Sequence, residues 1–315
     1  MSRIKALGTH VYFGGFAIGV ARNENIKVLG SLESWKPAVT WAPKLGVRVS
    51  TTGVVPKADY LFANPPCARF SPMSYSKFES EMRTDLTTFP EMNEALLAGK
   101  YSGAELVHIE SGPLMYNNGK ELISQFNDVL QWPECYMLVL KVGTMYAGLP
   151  QLRPRTHVFL GKRPFPEIDL TPVEVPNNIG VFIDAWNAEY QYEGVQSMPM
   201  ADPVVYSAMQ KNQAVFLSTR PKIVSRNDRY CHSVVSSRHF VWLEENRSFT
   251  VDEYAAVQGY NPDFDYSAPG IPLAMALISK SVSPAITEYL AERVVVPYFD
   301  SDVRDPHRPM YVDLT

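Results

Sequence analysis

Six apolar runs alternate with stretches of helical spacing over residues 1–163. HVYFGGFAIGVA (10–21) is apolar and broken by glycines. IKVLGSLE (26–33), ADYLFANPPC (58–67), AELVHIES (104–111), CYMLVLKVG (135–143) and RTHVFLGKR (155–163) follow it. Continuous β-branched and aromatic runs that end in Gly, Pro or Ser predict strands buried on both faces, the pattern of a parallel sheet. Between them, residues 76–99 and 117–132 carry the apolar spacing that crossover helices need. The fold class this predicts is α/β, an open sheet whose ligands sit at the carboxyl ends of its strands. From Pro164 the pattern is lost: PFPEIDLTPVEVPNN is proline-rich and no clean period returns before Trp242. A smaller irregular module is therefore expected over 164–242. Helical spacing resumes at 249–260, where Thr250 and Glu253 stand as a capping box, and continues over 272–299. The expected organisation is 1–163 as the main domain, 164–242 as the irregular module, 243–299 as a helical return to the first domain, and 300–315 as a tail.

The 315 residues are 46% hydrophobic and 20% charged, enough to bury a substantial core. No run of about 18 apolar residues predicts a membrane span, and the first residues lack the apolar core of a secretion signal. Cys67, Cys135 and Cys231 are odd in number and far apart, as expected in a reducing cytoplasm and not in a disulfide framework. The six histidines show no ligand spacing, so no metal site is expected. The net charge of −4 does not favour a protein that simply coats nucleic acid. One segment differs. Between Lys211 and Val241, Lys211, Arg220, Lys222, Arg226, Arg229 and Arg238 face a single acid, Asp228. Such a segment is either a solvated loop or a place where a phosphate backbone docks.

Cys67 follows Asn64-Pro65-Pro66 directly after a predicted strand. The prolines make the turn rigid, and a thiol at the carboxyl end of a strand is well placed as a nucleophile. A lone cysteine is more often a small buried hydrophobe. Asn-Pro-Pro also resembles the turn of amino-methyltransferases, though Cys67 stands where they have an aromatic residue.

Further strings follow in order. PPCARFS (65–71) is similar to the catalytic loop of the DNA cytosine-C5 methyltransferases, with Ala68 in place of a usual Gln. HIESGPLM is similar to their Glu-Asn-Val segment, with Glu110 as the glutamate. PQLRPRTHVFLGKR resembles their Gln-x-Arg-x-Arg signature through Gln151, Arg153 and Arg155. SFTVDEYAAVQGYNPDF and ISKSVSPAI resemble the two closing motifs. Through this ordered set, which spans most of the chain, the protein is identified as a divergent member of that family, of bacterial or phage type.

The resemblance implies a Rossmann-like methyltransferase sheet with crossover helices, plus a target-recognition domain over the irregular module. It implies that Cys67 adds to C6 of a flipped cytosine in double-stranded DNA and that Glu110 offsets charge at N3. Arg155 would hold O2, with Arg153 bracing the loop, and S-adenosylmethionine would supply the methyl group. Phe13, Gly14, Gly15, Glu33, Trp35, Asn64 and Pro65 are the implied cofactor contacts. Gln151, Arg220, Lys222, Arg226, Arg229 and Arg238 are the implied DNA contacts. The cofactor side departs from the pattern. The opening Phe-x-Gly-x-Gly-Gly is matched only by Phe13, Gly14, Gly15 and Gly19, with His10 and Val11 in place of the preceding acid, and Ser279-Lys280 replace a Gly-Asn. Three readings are open: a divergent methyltransferase, a relative that uses the same base chemistry with another donor, and a DNA-binding relative without catalysis.

Overall fold

The computed structural model describes residues 3–72, 84–190, 222–235, 240–245, 247–261, 264, 266, 268–301 and 310–315. The strands in chain order are β1 (Ile4–Thr9), β2 (Ile26–Leu32), β3 (Val49–Ser50), β4 (Tyr60–Ala63), β5 (Leu106–Ser111), β6 (Tyr136–Gly143), β7 (Gln151–Leu152), β8 (Pro154–Gly161), β9 (Lys222–Val224), β10 (Cys231–His232), β11 (Phe240–Trp242), β12 (Arg247–Ser248) and β13 (Met310–Leu314). The chain divides into two compact units. One comprises Met1–Gly143, Pro154–Thr171 and Ile286–Thr315; the other comprises Thr144–Arg153 and Pro172–Ala285.

The first unit is built on a sheet of order β13-β6-β8-β5-β4-β1-β2-β3. Its neighbours are parallel except β8, which runs antiparallel to both β5 and β6. The α/β sheet is as expected; the reversed strand is not, because hydrophobic period carries no information on direction. The helices α1 (Gly15–Ala21), α2 (Lys36–Trp41) and α3 (Pro90–Ser102) lie in the crossovers. Residues 117–132 do not form one helix. Three short helices, Met115–Asn118, Lys120–Ser124 and Phe126–Leu130, replace it. Gly119 marks the first break, where a Cβ would lie 2.7 Å from the Met115 carbonyl oxygen.

Strand alternation sends two sets of side chains to opposite faces. Leu61, Val107, Ile109, Val158 and Leu160 pack with Met92, Ala95 and Leu96 of α3 and with Leu122, Ile123 and Phe126. Tyr60, Phe62, His108, His157 and Phe159 occupy the other face, where Phe16 of α1 meets Phe62 and His108 at 4.9 Å. On that face the Tyr60 hydroxyl bonds His108 Nδ1 at 2.9 Å, and His108 Nε2 bonds His157 Nδ1 at 2.9 Å. Tyr298, from the helical stretch after Pro284, seals the sheet at Gly161, where a Cβ would stand 2.7 Å from its ring.

Residues 310–314, expected in a tail, pair in parallel with β6 as a full edge strand, fixed by Lys141 Nζ to Asp313 at 3.1 Å. The first strand also differs from expectation. It is Ile4–Thr9, and the apolar run at 10–21 is a turn followed by α1.

In the second unit, β12-β11-β9 form one sheet and β10-β7 another. The capping box is present: Thr250 Oγ1 accepts from Glu253 N at 3.1 Å, and Thr250 N donates to Glu253 Oε2 at 2.8 Å. The same carboxylate accepts from Trp242 Nε1 and pairs with Arg247. These bonds explain why the helix Val251–Val257 counts with the small sheet of this unit, where the sequence pattern grouped 243–299 with the first domain. Among the described residues no helix is long and apolar enough to cross a membrane.

The buried imidazoles make stability depend on pH. Burial lowers the His108 pKa and, with the Arg155 charge, takes that of His157 from 6.5 down to about 3. The unfolded chain takes up these protons below about pH 6.5, whereas the folded chain cannot. Stability is therefore complete above that pH and falls as pH drops from 6.5 towards 3. Chemical denaturation at pH 7 and pH 5 should show a loss of about 2 kcal/mol from His157 at the lower pH, with His108 acting in the same direction. A His108→Phe/His157→Phe protein should lose most of that dependence; an unchanged slope would refute this origin.

Candidate active site

The site begins where β4 ends. Asn64 is buried, and its amide donates to the Thr9 carbonyl at 3.3 Å, which ties the Asn64-Pro65-Pro66 turn to the end of β1. Cys67 then caps a single 3-10 turn, Ala68–Phe70, with Phe70 N bonded to Cys67 O at 2.9 Å. Phe70 is fully buried and stacks on Phe89 at 5.6 Å. The loop lies directly over the end of β5. A Cβ on Gly112 would sit 2.4 Å from Phe70 O, so only glycine permits this approach, and Leu114 N donates to the same oxygen. Burial raises the Cys135 thiol to about 11 and pushes that of Cys231 far up. Cys67 is half-buried, at the mouth of its turn.

Glu110 is the next element. It stands on β5, which is buried on both faces, and β8 is paired so that Glu110 opposes His157 and Ser111 opposes Thr156. Two residues before His157, Arg155 reaches back, and its Nε lies 3.1 Å from Glu110 Oε1. Thr156 Oγ1 donates to the Gly112 carbonyl at 3.0 Å and accepts from Tyr116 N at 3.1 Å. These bonds lock the turn that carries both the carboxylate and the Cys loop. The structure thus brings Cys67, Glu110 and Arg155 to neighbouring strand ends of one unit.

The other expected residues fall differently. Arg153 belongs to the second unit. There it is buried, and its guanidinium donates to the carbonyls of Val234, Ser279 and Ser281 at 2.9, 2.7 and 3.2 Å. It clamps the segment that carries Lys280. Gln151, expected at DNA, is completely buried on β7 beside Cys231, and its side-chain amide meets no hydrogen-bond partner among the described residues. Arg226, also expected at DNA, pairs with Asp184 and Glu245 and caps Gly180 O, so its charge is already balanced. Lys222 is half-buried on β9, and Arg229 is exposed beside the Tyr230 ring. Arg220, Arg238 and Lys211 lie outside the described residues.

On the cofactor side, Glu33 is buried just past β2. Its Oε1 accepts from Ser34 N and Trp35 N at 2.9 Å each, and its Oε2 from Tyr12 N at 3.3 Å. Gly14 has φ +85°, and a Cβ there would meet Val47 at 2.6 Å. Phe13 is fully buried and belongs to the core. The loop runs from the end of β1 at Thr9 to the start of α1 at Gly15. The six positions that close on Gly14-Gly15 start at His10, which places Tyr12 where the first glycine of the pattern would be. Tyr12 has a glycine-like φ of +51°. The structure thus groups a glycine turn, a buried carboxylate at the second strand's end and Trp35 beside it, the residues expected at S-adenosylmethionine. Tyr12 is the departure. A residue read only as part of an apolar run had no signal in sequence beyond the missing glycine.

No family model matches the chain, and no curated protein matches it. Solved structures do. A methyltransferase of Entamoeba histolytica, EhMeth, superimposes with a TM-score of 0.67 at 15% identity, over 95% of this chain and 99% of that one. A protein described as a DNA modification methyltransferase encoded within a prophage, from E. coli, gives 0.68 at 14%, over 95% and 100%. The Dnmt2 methyltransferase of S. pombe gives 0.58 at 13%, over 92% and 97%. The chain has the fold of these methyltransferases. The likeness holds over nearly the full length of each chain, the second unit included.

Gly112 provides the test of this geometry. Gly112→Ala should destabilise the first unit by about 1–3 kcal/mol, the usual cost of forcing a methyl group into a filled space. Thermal melts measure it, and an unchanged midpoint would show that the Cys loop does not rest on this turn.

Proposed function

We propose that the protein is a DNA methyltransferase acting at C5 of cytosine in double-stranded DNA. The observation that carries this reading is the Glu110–Arg155 pair, 3.1 Å apart at the strand ends over which the Cys67 loop is laid. C5 of cytosine is a weak nucleophile, and a thiolate added at C6 makes it a strong one. In this reading the Cys67 sulfur bonds to C6. Arg155 turns from Glu110 to donate to O2, and Glu110, protonated as that pairing is given up, passes its proton to N3, so that the charge placed on the ring is offset as it develops. S-adenosylmethionine, when bound, supplies the methyl group for C5. Loss of the C5 proton to water and cleavage of the C6–sulfur bond then return the thiolate, and N3 gives its proton back to Glu110. A base inside a duplex cannot reach Cys67, so the cytosine is flipped out of the stack.

Gly14, Gly15, Glu33 and Trp35 would hold the cofactor, with Asn64 and Pro65 joining the cradle to the Cys loop. Arg153 acts here by positioning the Ser279–Ser281 segment. Exposed Arg229, with Lys222, Arg220 and Arg238, supplies phosphate contacts. A reducing cytoplasm, bacterial or phage-infected, keeps the thiol available. The structural neighbours, one of them described as a DNA modification methyltransferase, support the same reading. Tyr12 in the cradle and Lys280 in the closing motif favour a second one, the same base chemistry with a different donor.

The test needs no donor. Addition at C6 lets C5 exchange its hydrogen with water before the thiol leaves, so DNA carrying tritium at cytosine C5 should release label. Cys67→Ala should abolish release, and Glu110→Gln should slow it by about two to four orders of magnitude. Release that persists without the thiol would end this reading. Labelled S-adenosylmethionine then separates the two donor readings.

A further inference from the structure

We propose that Tyr12 controls access to the donor site: its ring occupies the cradle, and a donor binds only when the ring swings away from Trp35. This rests on the methyltransferase reading above.

Three observations converge on that side chain. The turn between β1 and α1 has left-handed backbone at His10, Tyr12 and Gly14, with φ of +55°, +51° and +85°. Only the last is a glycine. An L-residue with a large side chain is strained in this region, and such strain persists where surrounding contacts hold it. Here the contacts are specific. The Tyr12 amide donates to Glu33 Oε2 at 3.3 Å, and its ring meets Trp35 edge-on, with centroids 5.6 Å apart. The phenol therefore lies against the residues of the nucleoside end of the cradle. Burial holds its pKa up, and the negative charges of Cys67, Glu33, Glu110 and Glu91 add to that effect. The side chain lies against Trp35, in space that a glycine at position 12 would leave open.

The ring is half-buried, not locked in the core. A swing about its side-chain torsions leaves the backbone under it unchanged. Closed and open positions of the ring then form a two-state element, and a donor pays for the fraction of time the cradle is closed. If the ring closes it for about nine-tenths of the time, apparent affinity falls about tenfold.

Calorimetry on the purified full chain tests this with S-adenosylmethionine and S-adenosylhomocysteine. Tyr12→Gly should bind both at least about tenfold more tightly than wild type. Tyr12→Asn, a residue that tolerates left-handed backbone, should do the same. Tyr12→Phe should match wild type, since the ring and not the hydroxyl fills the space. Equal or weaker binding by the glycine and asparagine proteins, or no binding by any of them, overturns the proposal. Tritium release from cytosine needs no donor and is read on the same proteins. A protein that exchanges label but whose affinity ignores Tyr12 retains the cytosine chemistry and loses only the gate.

Discussion

Everything at the site depends on one strand running the wrong way. β8 enters the sheet between β5 and β6 antiparallel to both, so its first residues lie beside the last residues of β5. A parallel strand in that slot would place Arg155 at the far edge of the sheet from Glu110. Reversal instead sets a guanidinium 3.1 Å from a carboxylate whose side chain is only 4% exposed. A charge so far from water is costly unless it is paired and hydrogen-bonded. The ion pair meets that structural demand with residues from two neighbouring strands. It also explains why the supports are so dense there: Thr156 bonds the Gly112 carbonyl, and Gly112 carries the Cys loop.

Much of the sheet was legible because buried strands have a strong signature. β2, β4, β5 and β6 each lie inside an apolar run, β8 does so in all but its first residue, and the capping box at Thr250 and Glu253 forms as its spacing predicts. β1 was missed because Lys5 and Gly8 interrupt its apolar character, while the stronger run next to it belongs to a turn and a helix. Strand direction was beyond reach, since alternation is the same either way. The edge strand β13 was hidden in a polar tail and is defined by its partner β6.

The candidate residues divide along the same line. Cys67, Glu110 and Arg155 are set by local turns and strand register, and the structure unites them. Arg226 looked like a phosphate contact because its neighbours in sequence are basic. Its real partners, Asp184 and Glu245, are distant in the chain and cancel its charge. Gln151 fails as a surface contact for a similar reason, because pairing with Cys231 on a remote strand buries it. Charge balance and burial are properties of three dimensions, and a linear count reads them only by chance.

One small bond has a wider meaning. The Tyr289 hydroxyl donates to the Thr171 carbonyl at 3.1 Å, close to where the chain leaves the first unit and where it returns. The exit and the re-entry are thus stapled together from within the first unit. Residues 172–285 form an excursion closed at its base, and the entropy of closing it is met by the first unit's own contacts.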